Sequence, residues 1–186
     1  ITLHEAAHGY VAWKLGDPTA KNAGRVTANP FKHVDPVGTL LLPGLLLLVR
    51  APFLFGFAKP VPVDFSRLRH PKRDMIWVAL AGPGSNVLLA LISAMLIWVG
   101  GLVPGAPGIW IIRNLENSMI INLLLAVFNL FPLPPLDGGR VAVGLLPNFL
   151  SWRLARLERF GLFILLGLLF IVPMVLDKIG VGFDPF

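Results

Sequence analysis

The stretch VALAGPGSNVLLALISAMLIWVG, residues 78–100, runs for 23 residues without a single Asp, Glu, Lys or Arg. A helix needs about 20 apolar residues to cross a bilayer, so this run is long enough. Two more follow. Residues 109–131 are apolar apart from Arg113 and Glu116 near the start, whose spacing of three predicts a structural ion pair on one helix face. Residues 160–176 are shorter but uncharged. Over the whole chain of 186 residues, 55% are hydrophobic and 14% charged, whereas soluble domains carry about 25% charged residues. Three such runs in so short a chain argue against a soluble protein with a large helical core. They predict an all-α polytopic membrane protein, a bundle of transmembrane helices.

The rest of the chain is arranged around these runs. Residues 1–15 read as a helix that Gly16-Asp17-Pro18 ends, Gly suiting the C-cap and Pro being unable to continue. The chain opens in mid-helix, with neither Met nor an N-cap. The expectation is a single membrane-embedded core over 1–186 that lacks a preceding N-terminal span. Residues 19–38 are polar, with Gly24, Pro30 and Pro36, and predict short strands and turns, a membrane-associated β/loop segment. Residues 39–57 are apolar but broken by Pro43-Gly44, Arg50 and Pro52. That segment is short for a crossing and reads as re-entrant or interfacial. Residues 132–135, Pro-Leu-Pro-Pro, interrupt the chain again before a helix over 136–150.

Charge orients this layout. The net charge is +6, and the pI near 10.3 would suggest nucleic acid in a soluble protein. Here the cations gather between the apolar runs: Lys14, Lys21, Arg25 and Lys32, then Lys59, Arg67, Arg69, Lys72 and Arg73, then Arg153, Arg156 and Arg159. The turn over 102–108 has none. This is the positive-inside pattern, with the basic loops cytoplasmic and no nucleic-acid partner. His33 and His70 stand beside these cations and are expected to face solvent or headgroups.

The chemistry begins at His4-Glu5-Ala6-Ala7-His8. Residues i and i+4 share a helix face, so both imidazoles can point at one metal ion. Glu5 lies about 100° round the helix, where it can reach a metal-bound water without being a ligand. Two neutral imidazoles holding Zn2+, with a carboxylate to take the water's proton, is a coherent hydrolytic device. Ionisable groups in a membrane-type helix are costly, which favours a shared functional reason over chance. The absence of cysteine excludes disulfides and thiolate ligands. A catalytic zinc usually has three protein ligands. Asp137, entering a helix after the proline cluster, is the best-placed acid for the third, and an N-cap role, the plainer reading there, is compatible with it. Asn86 and Asn129, amides in or at the edge of apolar helices, are candidates to stabilise an oxyanion or bind substrate. Inter-helix hydrogen bonding is the alternative for each. Residues 24–27 and 35–39 are candidate edges for pairing with an unwound substrate segment.

Together, His4–His8, the run from Asn129 to Gly139 containing Leu136-Asp137-Gly138, and Ala81-Gly82-Pro83-Gly84-Ser85-Asn86 resemble the site-2 protease family of intramembrane zinc metalloproteases. Gly56-Phe57-Ala58-Lys59-Pro60-Val61-Pro62-Val63 resembles its compact bacterial and archaeal branch, the form without PDZ or CBS domains. The resemblance implies one zinc per chain on His4, His8 and Asp137, with Glu5 as general base. It also implies regulated cleavage of single-span membrane-protein substrates within the lipid bilayer of a prokaryotic-type cytoplasmic membrane. A homo-oligomer is compatible with the sequence. A metal transporter using the same ligands and a catalytically dead scaffold are the alternatives, and an intact Glu5 favours the protease.

Overall fold

Helix α4 is the organising element. In the computed structural model, which describes residues 1–50 and 56–167, it runs from Pro71 to Gly100 and packs against α1 (Thr2–Lys14), α5 (Ala106–Asn129) and α6 (Asp137–Leu145). Short helices α2 (Thr19–Asn22) and α3 (Leu42–Leu48) connect α1 to α4, and α7 (Asn148–Leu157) and α8 (Gly161–Leu166) follow α6. The described residues contain no strand. Most of the expected third apolar run, 160–176, and Pro52 lie outside them.

The buried face of α4 repeats at helical spacing: Val78 and Ala79, Gly82 and Pro83, Asn86, Ala90, Ser93. These residues are small or polar rather than bulky, which lets neighbouring backbones come close. Ser93 Oγ lies 2.9 Å from Ser118 Oγ, a hydrogen bond joining α4 to α5. The outward faces are apolar and exposed, including Leu88, Leu91 and Met95 on α4 and Ile120, Leu124 and Val127 on α5. Both helices are long and apolar enough to cross a membrane. Arg113 and Glu116 are exposed, and the expected ion pair between them is not formed.

Helix α1 ends as its sequence dictates. Gly16 adopts φ +119°, a conformation that L side chains resist. Asp17 is fully buried. Its Oδ1 accepts from the Thr19 N–H at 3.0 Å, and its Oδ2 from the Asp64 N–H at 2.7 Å. One carboxylate thus fastens the end of α1 to the segment that leads into α4. Asp64 in turn caps the 3-10 turn Phe65–Arg67, and the Ser66 hydroxyl and N–H hold its exposed carboxyl below the usual carboxylate range.

The polar segment departs from expectation. Instead of strands, residues 19–41 form α2, a 3-10 turn (Pro30–Lys32) and a wide π-type turn (Pro36–Leu41) that runs on into α3. The reason lies in local capping. Asn29 Oδ1 accepts from the Phe31 N–H at 3.0 Å, and Asp35 Oδ1 accepts from the N–H groups of Val37 and Gly38 at 2.9 and 2.7 Å. Each Asx cap precedes a proline, and each starts a helical turn where a strand would need a partner. Residues 35–39 therefore present no strand edge. His33 is not solvent-facing either: it is buried, with Nε2 3.1 Å from the Thr27 carbonyl. His70 is exposed as expected.

The two ends of the interrupted apolar segment meet. The Phe57 N–H donates to the Gly38 carbonyl at 3.0 Å, and the Thr39 hydroxyl donates to the Phe57 carbonyl at 3.0 Å. The chain thus leaves and returns at one place, and Pro36–Leu48 is too short to cross a bilayer.

Helix α6 is set by two glycines. A Cβ on Gly138 would lie 2.1 Å from the Leu130 carbonyl oxygen, and one on Gly139 would lie 2.3 Å from Pro134 N. The first turn of α6 is seated directly on the backbone that leaves α5. Gly138→Ala should therefore destabilise the fold by about 1–3 kcal/mol through overpacking. Gly84→Ala, on α4 where an added Cβ meets nothing within 4 Å, should be neutral or gain up to about 1 kcal/mol. Thermal unfolding of both variants in detergent micelles checks the contrast.

Candidate metal centre

Three lone-pair atoms converge between α1, α4 and α6. His4 Nε2 and His8 Nε2 lie 3.1 Å apart. Asp137 Oδ2 is 3.1 Å from the first and 3.3 Å from the second. All three residues are buried. They come together because His4 and His8 share one face of α1 and because Gly138 and Gly139 seat Asp137 opposite it. Asp137 is the first helical residue of α6 and Leu136 holds the N-cap position, with no side-chain cap. The N-cap alternative is thus not adopted.

The protonation of this triangle can be worked out from its partners. His8 Nδ1 is 2.7 Å from the Val78 carbonyl. A carbonyl only accepts, so Nδ1 carries the proton and the Nε2 of the neutral ring is a bare lone pair. That lone pair faces another imidazole nitrogen and a carboxylate oxygen that is buried without an aligned N–H donor. Such a set is repulsive without a cation and attractive around one. A tetrahedral zinc bound at about 2.0–2.2 Å would separate its donors by about 3.3–3.6 Å. The observed edges, 3.1, 3.1 and 3.3 Å, lie within about 0.2 Å of the lower end of that range, so the residues fit the ion. Gly82 provides the room: a Cβ there would lie 2.4 Å from His8 Nε2 and 2.6 Å from His4 Nε2.

The other predicted residues are placed as follows. Glu5 is half-buried, and its Oε2 accepts from the Val61 N–H at 2.8 Å. Asn86, 1% exposed, puts Nδ2 3.1 Å from His4 Nδ1. Asn129 donates from Nδ2 to the Leu125 carbonyl of its own helix at 2.9 Å and makes no described hydrogen bond to the triangle. Val78 meets His8 through its backbone carbonyl, a contact that its side chain does not advertise. Gly82 could be suspected from the Gly-Pro-Gly within an apolar run.

The fold and site thus define a helical protein of membrane-type composition with a buried cluster of two histidines and one carboxylate that could hold a metal ion. The chain is 38% identical over 182 residues to Putative zinc metalloprotease YwhC of Bacillus subtilis, covering 94% of this chain and 77% of YwhC. It is 30% identical over 175 residues to Putative zinc metalloprotease Rip2 of Mycobacterium tuberculosis, covering 93% of this chain and 64% of that relative. With Rip2 of Mycolicibacterium smegmatis it shares 30% identity over 141 residues, 51% of that protein's length. No protein-family model matches the chain, and no solved structure gives a significant match. The chain belongs to the zinc metalloprotease family of these relatives.

Gly82→Ala should abolish stoichiometric metal binding while leaving helix content intact. Zinc analysis of the purified variant beside its circular dichroism spectrum checks this. A variant that still binds one zinc per chain would contradict the close approach of α4 to the imidazoles.

Proposed function

We propose that the chain is an intramembrane zinc endopeptidase of the site-2 protease type that hydrolyses peptide bonds in or near the transmembrane segments of single-span membrane proteins. The observation that carries this reading is the buried triangle of His4, His8 and Asp137, set in helices whose outer faces are apolar and exposed. His4 Nε2, His8 Nε2 and Asp137 Oδ2 would hold the zinc. When bound, that ion supplies Lewis acidity towards water and a peptide carbonyl.

The chain's own residues do the rest. Glu5 follows His4 directly and is the general base. The Val61 N–H holds its Oε2, which leaves Oε1 to take a proton from water and pass it to the leaving amine. Asn129 ends α5 just before the proline turn that leads to Asp137, and one N–H of its amide is free for a developing oxyanion. An open cavity of about 380 Å³, lined by Ile1, Thr2, His33, Gly38, Thr39 and Phe57 among others, adjoins the start of α1 within a turn of His4. It suits an unwound, largely apolar substrate segment.

Two tryptophans support membrane placement. Trp77 and Trp98 are exposed on α4, and their separation of 21 positions corresponds to about 31 Å of helix. That matches a hydrocarbon core of about 30 Å with aromatic residues at both interfaces. Gly82 and Asn86 then sit about 8 and 14 Å in from the Trp77 end. The cations Lys72 and Arg73 stand at that same end, which the positive-inside pattern makes cytoplasmic.

Glu5→Gln should keep one zinc per chain and lower cleavage of a reconstituted single-span substrate by about 10²–10⁴-fold. Wild-type cleavage should stop on chelation and return with added zinc. Undiminished cleavage by Glu5→Gln would refute the assignment. Zinc flux across proteoliposomes without cleavage would point to a transporter instead.

A further inference from the structure

Helix α4 holds both imidazoles from behind. Val78, Gly82 and Asn86 follow at intervals of four, so they lie along one face of α4. The Val78 carbonyl takes His8 Nδ1 at 2.7 Å, Gly82 leaves the gap that the two Nε2 atoms fill, and the Asn86 amide meets His4 Nδ1 at 3.1 Å. His8 is thereby locked with its bare Nε2 towards Asp137. His4 is locked in the same sense only if its Nδ1 also carries a proton, and that proton needs an acceptor.

Asn86 can be that acceptor. Its Nδ2 is drawn towards His4 Nδ1, and this leaves Oδ1 buried with no donor at all. With Nδ2 as donor, His4 would carry its proton on Nε2, pointing into the triangle and opposing a metal. The two ends of an amide differ only by a half-turn about the last side-chain bond. Turning it places Oδ1 on His4 Nδ1–H, satisfies the orphaned carbonyl and frees His4 Nε2. We propose that Asn86 is a positioning residue of the metal centre. Its side-chain carbonyl accepts His4 Nδ1–H and so fixes the tautomer that ligates through Nε2. Asn86 is then not the oxyanion donor its sequence context suggested. This assignment rests on the proposed zinc centre and adds to it the reason why α4 must carry an amide at 86.

Metal-ligating histidines commonly depend on such a partner, and its loss costs about 10–100-fold in metal affinity. The test uses the whole chain in detergent micelles and zinc itself as the probe, titrated against a chelator of known affinity. Asn86→Leu keeps the shape but removes the acceptor, and should bind zinc about 10–100-fold more weakly than wild type. Asn86→Asp keeps an acceptor and cannot donate, and should bind zinc within a few-fold of wild type. At saturating zinc, Asn86→Asp should also cleave a single-span substrate at a rate close to wild type. An oxyanion donor would show the reverse, with unchanged zinc affinity in both variants and a loss of about 10²–10³-fold in cleavage for Asn86→Asp. That pattern, or wild-type zinc affinity in Asn86→Leu, overturns the proposal. Should Asn86→Leu fail to fold, ring-¹⁵N spectra of the wild-type histidines decide: a proton on Nδ1 of His4 supports the assignment, and one on Nε2 overturns it. A wild-type chain that binds no zinc would remove the metal centre itself, a result distinct from every outcome in the variants.

Discussion

Everything at the centre of this molecule follows from placing three electron-pair donors within 3.3 Å of one another, away from water. No neutral arrangement makes that comfortable. A hydrogen bond can relieve one edge of the triangle, because one imidazole proton can point at the carboxylate. The proton that His8 commits to the Val78 carbonyl is not available for a second edge. A divalent cation relieves all three edges at once, which is why the geometry alone suits a metal ion. Burial sharpens the point, since uncompensated polar groups cost most where water is scarce.

The architecture serves close approach. Three helices must come near enough for side chains as short as Asp137 to reach across, and the chain does this by deleting side chains. Gly82 lets α1 press its imidazoles against α4. Gly138 and Gly139 let α6 begin directly on the backbone of residues 130–134. Gly144 admits Ile76 of α4 against α6. Polar ties then hold the ends: Lys72 Nζ donates to the Leu146 carbonyl at 2.5 Å and to Asn148 Oδ1 at 2.9 Å, bridging α4 to the far end of α6. Bulky packing contributes little, and the core among the described residues is a small cluster around Ala12, Leu68 and Val78. That is the balance expected where lipid, not a large interior, takes up the apolar side chains.

The parts legible in the sequence are those with strong period or strong chemistry. The runs over 78–100 and 109–131 announce two long helices because nothing in them favours another state. His4 and His8 announce a shared face because a helix turn fixes their spacing. Asp137 could be singled out because few acids stand beside apolar helices. The polar segment is less legible because Gly and Pro mark an interruption without saying what replaces it. Asn29 and Asp35 capped helical turns that composition alone took for strands. The basic neighbours of His33 point it outward, yet its ring turns in to the Thr27 carbonyl. The outer partners of the histidines were the least visible, since a backbone carbonyl leaves no trace in residue identity and an amide can serve either of two purposes.

One consequence of the layout concerns the return from the hairpin. Residues 57–61 are strung along a row of contacts: the Phe57 N–H to the Gly38 carbonyl, the Lys59 N–H to the His33 carbonyl, the Lys59 carbonyl to the Arg25 guanidinium, and the Val61 N–H to Glu5. The last of these is the proposed general base. The carboxylate proposed to handle a proton is therefore oriented by the segment that follows the interrupted apolar stretch, and that stretch's other end lines the cavity beside α1. A substrate entering that cavity would press on Gly38, Thr39 and Phe57, three bonds along the row from Glu5. Loop position and the aim of the carboxylate are thus linked through backbone hydrogen bonds rather than through side-chain packing. That link gives the chain a direct way to couple occupancy of the cavity to the geometry of the proposed base.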